Sequence, residues 1–227
     1  MSAYTIVDHQ KLDKHVTFLR IDPIDIGLTL KEVFISLSNL AWISDFDEDY
    51  LRLGFNARAQ ATVDYIAKNI ILSTDTKITS NSGEYVISEI ARKAVVDEMT
   101  YLDIPLAELI KIKDVGNHGF DFYSKNLGEV ILFGEAKYNS RQNAYGLSFE
   151  QIVRFENEKQ DCSDIIDIDR FCCENSKNNF ANGKKGFVAA FASKKTATKT
   201  IINGIKRNED YKKIVKFNEL ICVAVNI

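Results

Sequence analysis

Residues 119–137, GFDFYSKNLGEVILFGEAK, constrain this chain more than any other stretch. Two short runs rich in Phe, Tyr, Val, Ile and Leu flank the turn-like Ser-Lys-Asn-Leu-Gly, which predicts a β-hairpin. Yet the first run carries Asp121 and the second ends in Glu135 and Lys137, where a sheet should be building core. With a side-chain period of two, Ile131, Phe133, Glu135 and Lys137 share one face and Val130, Leu132, Gly134 and Ala136 the other. The small pair Gly134 and Ala136 predicts a helix lying close beneath the end of that strand. Glu135 and Lys137 are then expected to emerge on the opposite face, where apolar packing gives out, with Asp121 brought alongside by the hairpin partner.

The flanks alternate helix and strand signals. A helix is expected from Ser80 or Ser82 through Met99, with Val86, Ile87, Ile90, Ala91, Ala94 and Val95 as its apolar stripe. On its wheel Glu84 falls on the core side and Glu89 roughly opposite Ala91. A short helix at 106–111 leads to a strand region around Lys113. Downstream, 146–159 and 195–207 read as helices and 185–192 and 219–226 as buried strands. The fold class expected is α/β: a mixed central sheet flanked by helices. Residues 1–80 are harder to read and are expected to form an N-terminal accessory region, with the core at 81–227. Within them 16–21 suggests a strand ending at Pro23, 28–43 mixes signals, and 57–71 has helical spacing.

An Asp and a Glu converging at a sheet end give the oxygen donors that a hard cation such as Mg²⁺ requires, Mn²⁺ being the alternative. A neighbouring lysine adds what neither acid can, a positive charge to orient an attacking water and offset charge on a phosphate. The three together suit phosphodiester hydrolysis. The charge pattern is compatible with a polyanion. The net charge is −3, but residues 177–216 hold eleven Lys and Arg against Glu209 and Asp210, a local +9 that leaves −12 elsewhere. Lys184, Lys185, Lys194, Lys195 and Lys199, with Arg141 just beyond the hairpin, are the candidate nucleic-acid contacts. No aromatic residues interleave them to suggest base stacking, so nonspecific backbone tracking is expected.

The four cysteines contain no CxxC pair, which argues against a zinc knuckle or disulfide framework and for reduced thiols. The N-terminal residues lack a signal-peptide pattern and no apolar stretch is long enough to span a bilayer, so a cytoplasmic location without membrane contact is expected.

On Asp121, Glu135 and Lys137 the sequence resembles the PD-(D/E)xK, or restriction-endonuclease-like, nuclease superfamily, whose pattern is an acid on one strand and (D/E)-x-K on the next. The resemblance covers roughly residues 80–192. It implies a restriction-endonuclease-like core, Mg²⁺-dependent cleavage of DNA, Asp121, Glu135 and the helix glutamate Glu84 as metal ligands, and these three with Lys137 as the catalytic residues. The proline that usually precedes the first acid is absent; Asn117-His118-Gly119-Phe120 stands there. More narrowly, GFD followed by GEAK resembles the nuclease subunits of the Hachiman antiphage defence system, which implies a defence effector working beside a helicase. A homo-oligomer is compatible with the sequence. A catalytically quiet adaptor of nuclease fold and a site-specific restriction endonuclease are the competing expectations. Gln151, His118 and residues 138–140 are weaker candidates near the site.

Overall fold

The computed structural model describes residues 4–66, 80–111 and 119–227. Six strands form one sheet: β1 (Tyr4–Asp13), β2 (Val16–Pro23), β3 (Phe122–Lys125), β4 (Ile131–Lys137), β5 (Lys185–Ser193) and β6 (Glu219–Asn226), in the order β1-β2-β6-β5-β4-β3. The central four, β2, β6, β5 and β4, run parallel, and β1 and β3 close the edges antiparallel. The chain is therefore a mixed α/β fold with helices around a central sheet. The parallel strands read as nearly continuous apolar runs because both their faces are covered. In β6 every residue from Leu220 to Val225 is fully buried.

The first residues join this sheet directly. Val16 to Ile21 pair with Leu220 to Val225 of β6, and β1 folds back on β2 with two register shifts. Along its outer edge β1 is mostly exposed and carries Asp8, His9, Lys11 and Asp13, charges that discourage pairing with another strand. The mixed segment after Pro23 is helix α1 (Ile26–Ser38), capped by Asp25, whose side chain accepts from Leu28 N. Helix α2 runs Asp49–Ile66, starting inside the acidic stretch and earlier than its apolar spacing predicts. An aspartate in the first turn suits the positive end of a helix dipole. The remainder of the 57–71 expectation lies outside the described residues.

Helix α3 (Ser80–Met99) packs its expected stripe, Val86 through Val95, against β3, β4, β5 and β6. The short α4 (Ala107–Ile110) follows, and the expected strand around Lys113 lies outside the described residues. After β4 come α5 (Tyr145–Asn157), α6 (Gln160–Ile168) and α7 (Glu174–Ala181); after β5 come α8 (Thr198–Arg207) and α9 (Glu209–Ile214). Helices α6, α7 and α9 are additions to the sequence expectation.

Between the sheet and α5 to α7 lies an aromatic core. Phe120 stands 5.3 Å from Phe133, 5.2 Å from Phe155 and 5.8 Å from Phe187 between ring centroids. Each such ring, fully buried, contributes about 1.5–3 kcal/mol, and this cluster holds the strand segment leading to Asp121. Gly134 departs from expectation. Its missing side chain makes room for the ring of Phe122, its cross-strand partner, rather than for a helix; a Cβ there would sit 2.5 Å from Phe122 ring atoms. Cys172 and Cys222 are buried and Cys162 and Cys173 exposed, all as free thiols.

Candidate active site

The three motif residues meet at the hairpin's open end, where β4 finishes. Lys137 Nζ lies 2.7 Å from Glu135 Oε1, as residues two apart on one strand face can. Asp121 reaches across from the neighbouring chain segment, its Oδ2 accepting from the backbone N–H of Ala136 at 2.7 Å. Its own N–H donates to Gly134 O, and its carbonyl accepts from Ala107 N. Asp121 is thus hooked onto the residue between Glu135 and Lys137.

Glu135 is 0% exposed. Its Oε2 has no hydrogen-bond partner among the described residues. Burial, then the charge of Asp121, hold the Glu135 carboxyl well above the usual carboxylate range in spite of the adjacent ammonium. Asp121 is pushed up to about 6, chiefly by burial, with Lys137 and the Ala136 N–H pulling the other way. The Lys137 ammonium is raised above its ordinary value, because the carboxylates of Glu135 and Asp121 outweigh its own desolvation.

Glu84 lies 3.4 Å from Lys137 Nζ, and the side chain is 47% exposed. The wheel's assignment of Glu84 to the core side and Glu89 to the solvent side is corrected by the structure. Glu89 is buried, paired with Arg92 at 2.8 Å and hydrogen-bonded to Ser36, because α1 covers the face of α3 that an isolated helix would leave in water. Glu89 has no contact with Lys137 in this arrangement; Glu84 has.

Among the described residues no group of three or more His, Cys, Asp or Glu stands where it could hold a metal ion. The donors available to a cation are the two carboxylates Asp121 and Glu135, with Glu84 also in contact with the Lys137 ammonium. Beside Lys137 a cleft is lined by Leu147, Glu150, Gln151 and Arg154 of α5, which brings Gln151 next to the site. The Oγ of Ser148, on the same helix, donates to Glu135 O at 3.0 Å and fixes that strand end from behind. His118 lies outside the described residues.

The basic candidates divide by sheet register. Lys137 pairs with Phe191 near the end of β5, whereas Lys185 pairs with Ile131 at the start of β4. Six residues at about 3.3 Å each separate those ends by roughly 20 Å. Lys184 and Lys185 are therefore remote from Lys137. Lys185 is moreover held by Asp161 at 2.6 Å and Glu156 at 3.4 Å. The local positive excess is further reduced by Lys177, which pairs with Asp169 outside the basic segment. Lys194, Lys195, Lys199 and Arg141 lie at the same sheet end as Lys137.

Two residues that the sequence did not single out stitch the loops at that end together. Asn143 Oδ1 accepts from Lys194 N at 2.8 Å, joining the loop after β4 to the loop after β5. Arg20, buried at the end of β2, donates to Asn226, to Thr198 Oγ1 at 2.9 Å and to the Lys194 carbonyl. Arg20 pairs with Ala224, which pairs with Phe191, so it stands in the same cross-sheet row as Lys137. A buried arginine at the end of an apolar strand is the signal that could have marked it.

No protein-family model, curated protein or solved structure matches this chain. The α/β class rests on the sheet itself, and the chemistry on the geometry of Asp121, Glu135 and Lys137. Among the described residues no helix is long and apolar enough to cross a membrane.

Proposed function

We propose that this chain is a metal-dependent nuclease of the PD-(D/E)xK kind, a deoxyribonuclease whose restriction-endonuclease-like core carries Asp121, Glu135 and Lys137 at one sheet end. The observation that carries this reading is the Glu135–Lys137 contact with Asp121 anchored on the Ala136 N–H between them. The donor set fits a hard cation, Mg²⁺ or Mn²⁺. A buried carboxylate oxygen without a hydrogen-bond partner is costly, and two mutually repelling carboxylates favour a cation between them. Asp121 and Glu135 would hold it, with waters and phosphate oxygens completing the shell, which is how Mg²⁺ sites with one or two carboxylates are built. When bound, such a cation supplies charge neutralisation and Lewis-acid polarisation at the scissile phosphate. Lys137 orients the attacking water and offsets the charge that develops on the phosphate. Glu84 steadies the ammonium through its 3.4 Å contact. Lys194, Lys195, Lys199 and Arg141 contact the phosphate backbone.

The wider reading, an antiphage effector acting with a helicase, rests on the likeness of GFD and GEAK to Hachiman nuclease subunits. A second reading, a quiet nuclease-fold adaptor, draws on one observation: Glu135 is closed from solvent with Lys137 against it. In that arrangement the ammonium must leave Oε1 before a cation can reach it. The two readings are separated by incubating plasmid, linear duplex, single-stranded DNA and RNA with the purified chain, with and without Mg²⁺ and with the product of the neighbouring gene. Cation-dependent cutting lost in Glu135→Gln supports the nuclease; no cutting under any combination supports the adaptor.

A further inference from the structure

Helix α6 carries two aspartates that are each 1% exposed, Asp161 and Asp164. Each is paired with one half-buried lysine, Asp161 with Lys185 at 2.6 Å and Asp164 with Lys111 at 2.8 Å. They hold different segments of the chain. Asp161 sits with Lys185 at the start of β5, while Asp164 sits against the segment that presents Asp121.

Asp164 grips that segment on both sides of Asp121. Its Oδ2 accepts from the backbone N–H of Phe120 at 2.9 Å and from the hydroxyl of Tyr123 at 2.7 Å. Its Oδ1 accepts from Gln160 Nε2 at 2.9 Å and faces the Lys111 ammonium. Gly119 lies close against the same group: a Cβ there would meet Lys111 Nζ and crowd both Asp164 oxygens. A carboxylate with three hydrogen bonds and an ammonium is a fully satisfied buried charge. It fixes the residue before Asp121 and the residue two after it, leaving the Asp121 carboxylate little freedom beyond its bond to Ala136 N.

We propose that Asp164, with Lys111 and Tyr123, is the positioning device that aims the Asp121 carboxylate at Glu135, and so sets the cation affinity of the proposed nuclease centre. This rests on the reading of Asp121 and Glu135 as cation ligands. Groups that fix a metal ligand's orientation from behind typically change affinity 10- to 100-fold when removed. A pair that only stabilises the fold would leave the affinity of the folded protein unchanged.

The matched aspartate on the same helix supplies the control. The full-length chain is prepared as Asp164→Asn with Lys111→Met, as Asp161→Asn with Lys185→Met, and as Tyr123→Phe; the double variants neutralise both partners so that no buried charge is left alone. Thermal unfolding and Mn²⁺ binding, followed by electron paramagnetic resonance, are measured on each. Both double variants are expected to lose stability. Only the Asp164/Lys111 variant should bind Mn²⁺ about 10-fold or more weakly, and Tyr123→Phe, which keeps the ring, should weaken it roughly threefold. Equal Mn²⁺ affinity in the parent, the Asp164/Lys111 variant and Tyr123→Phe overturns the positioning role while sparing the nuclease reading. If the Asp164/Lys111 variant does not fold, Tyr123→Phe alone decides. Absence of site-dependent Mn²⁺ binding in the parent, judged against Glu135→Gln, overturns both.

Discussion

Lys137 Nζ is 2.7 Å from Glu135 Oε1 and 3.4 Å from Glu84 Oε1, so a single ammonium bridges a buried strand carboxylate and an exposed helix carboxylate. The two acids are therefore not equivalent, and their removal should have separable effects.

Glu84→Ala should change stability by no more than about 0.5 kcal/mol, as expected of an exposed side chain, while lowering cleavage through the loosened Lys137. Glu89→Ala should do the reverse. It removes the buried partner of Arg92, which keeps Asp103, and losing such charge-assisted hydrogen bonds costs about 1.5–3 kcal/mol. Denaturant unfolding beside a cleavage assay checks both; a folded, fully stable Glu89 variant with impaired cleavage would exchange their roles.

The stability of the cation-free protein should fall as pH rises from about 4 to about 6. The Asp121 carboxyl titrates near 6 in the folded chain against 3.8 ordinarily. Below 3.8 it is protonated in both states and its full contribution is present. Above 3.8 the unfolded chain ionises first, so folding loses stability until the folded carboxyl also ionises, a total on the order of 3 kcal/mol. Glu135, also raised by burial, adds a loss of the same sign. Asp121→Asn should flatten the lower window, and Mg²⁺ at neutral pH should recover the loss in the parent only. Stability that rises with pH across this window would contradict the burial of these carboxyls in their charged form.

Removing Arg141, Lys195 and Lys199 together should weaken binding to duplex DNA and lower the slope of log affinity against log salt by up to about 2.7, at roughly 0.9 per phosphate contact. Lys184→Ala, at the remote sheet end, should change neither. An equal effect from Lys184 would move the nucleic-acid surface away from Lys137.

The hairpin of β3 and β4 was legible because its signals are local: alternation fixed the shared face of Glu135 and Lys137, and the polar turn fixed the pairing. The strands β5 and β6 were legible as unbroken apolar runs. What escaped depended on partners distant in sequence. A helical wheel cannot know that α1 covers the second face of α3, and so it put Glu89 in solvent. Lys185 looked like part of a basic stretch because its acids, Asp161 and Glu156, lie on other elements. Asp164 is unremarkable within QDCSDIIDIDR and acquires its role only where Phe120, Tyr123 and Lys111 converge on it.

The most direct test of the centre is a Mg²⁺ titration by calorimetry paired with a DNA cleavage assay, on the parent, Glu135→Gln and Lys137→Ala, with any partner protein that activity requires. Lys137→Ala should bind Mg²⁺ as tightly as the parent or more so, because both carboxylates stay and a competing positive charge is gone. Its cleavage should drop about 10²- to 10³-fold, the usual cost of one lost transition-state donor. Glu135→Gln should lose both binding and cleavage. A Lys137→Ala variant that cuts at the parental rate would contradict the assignment of this site as a nuclease centre.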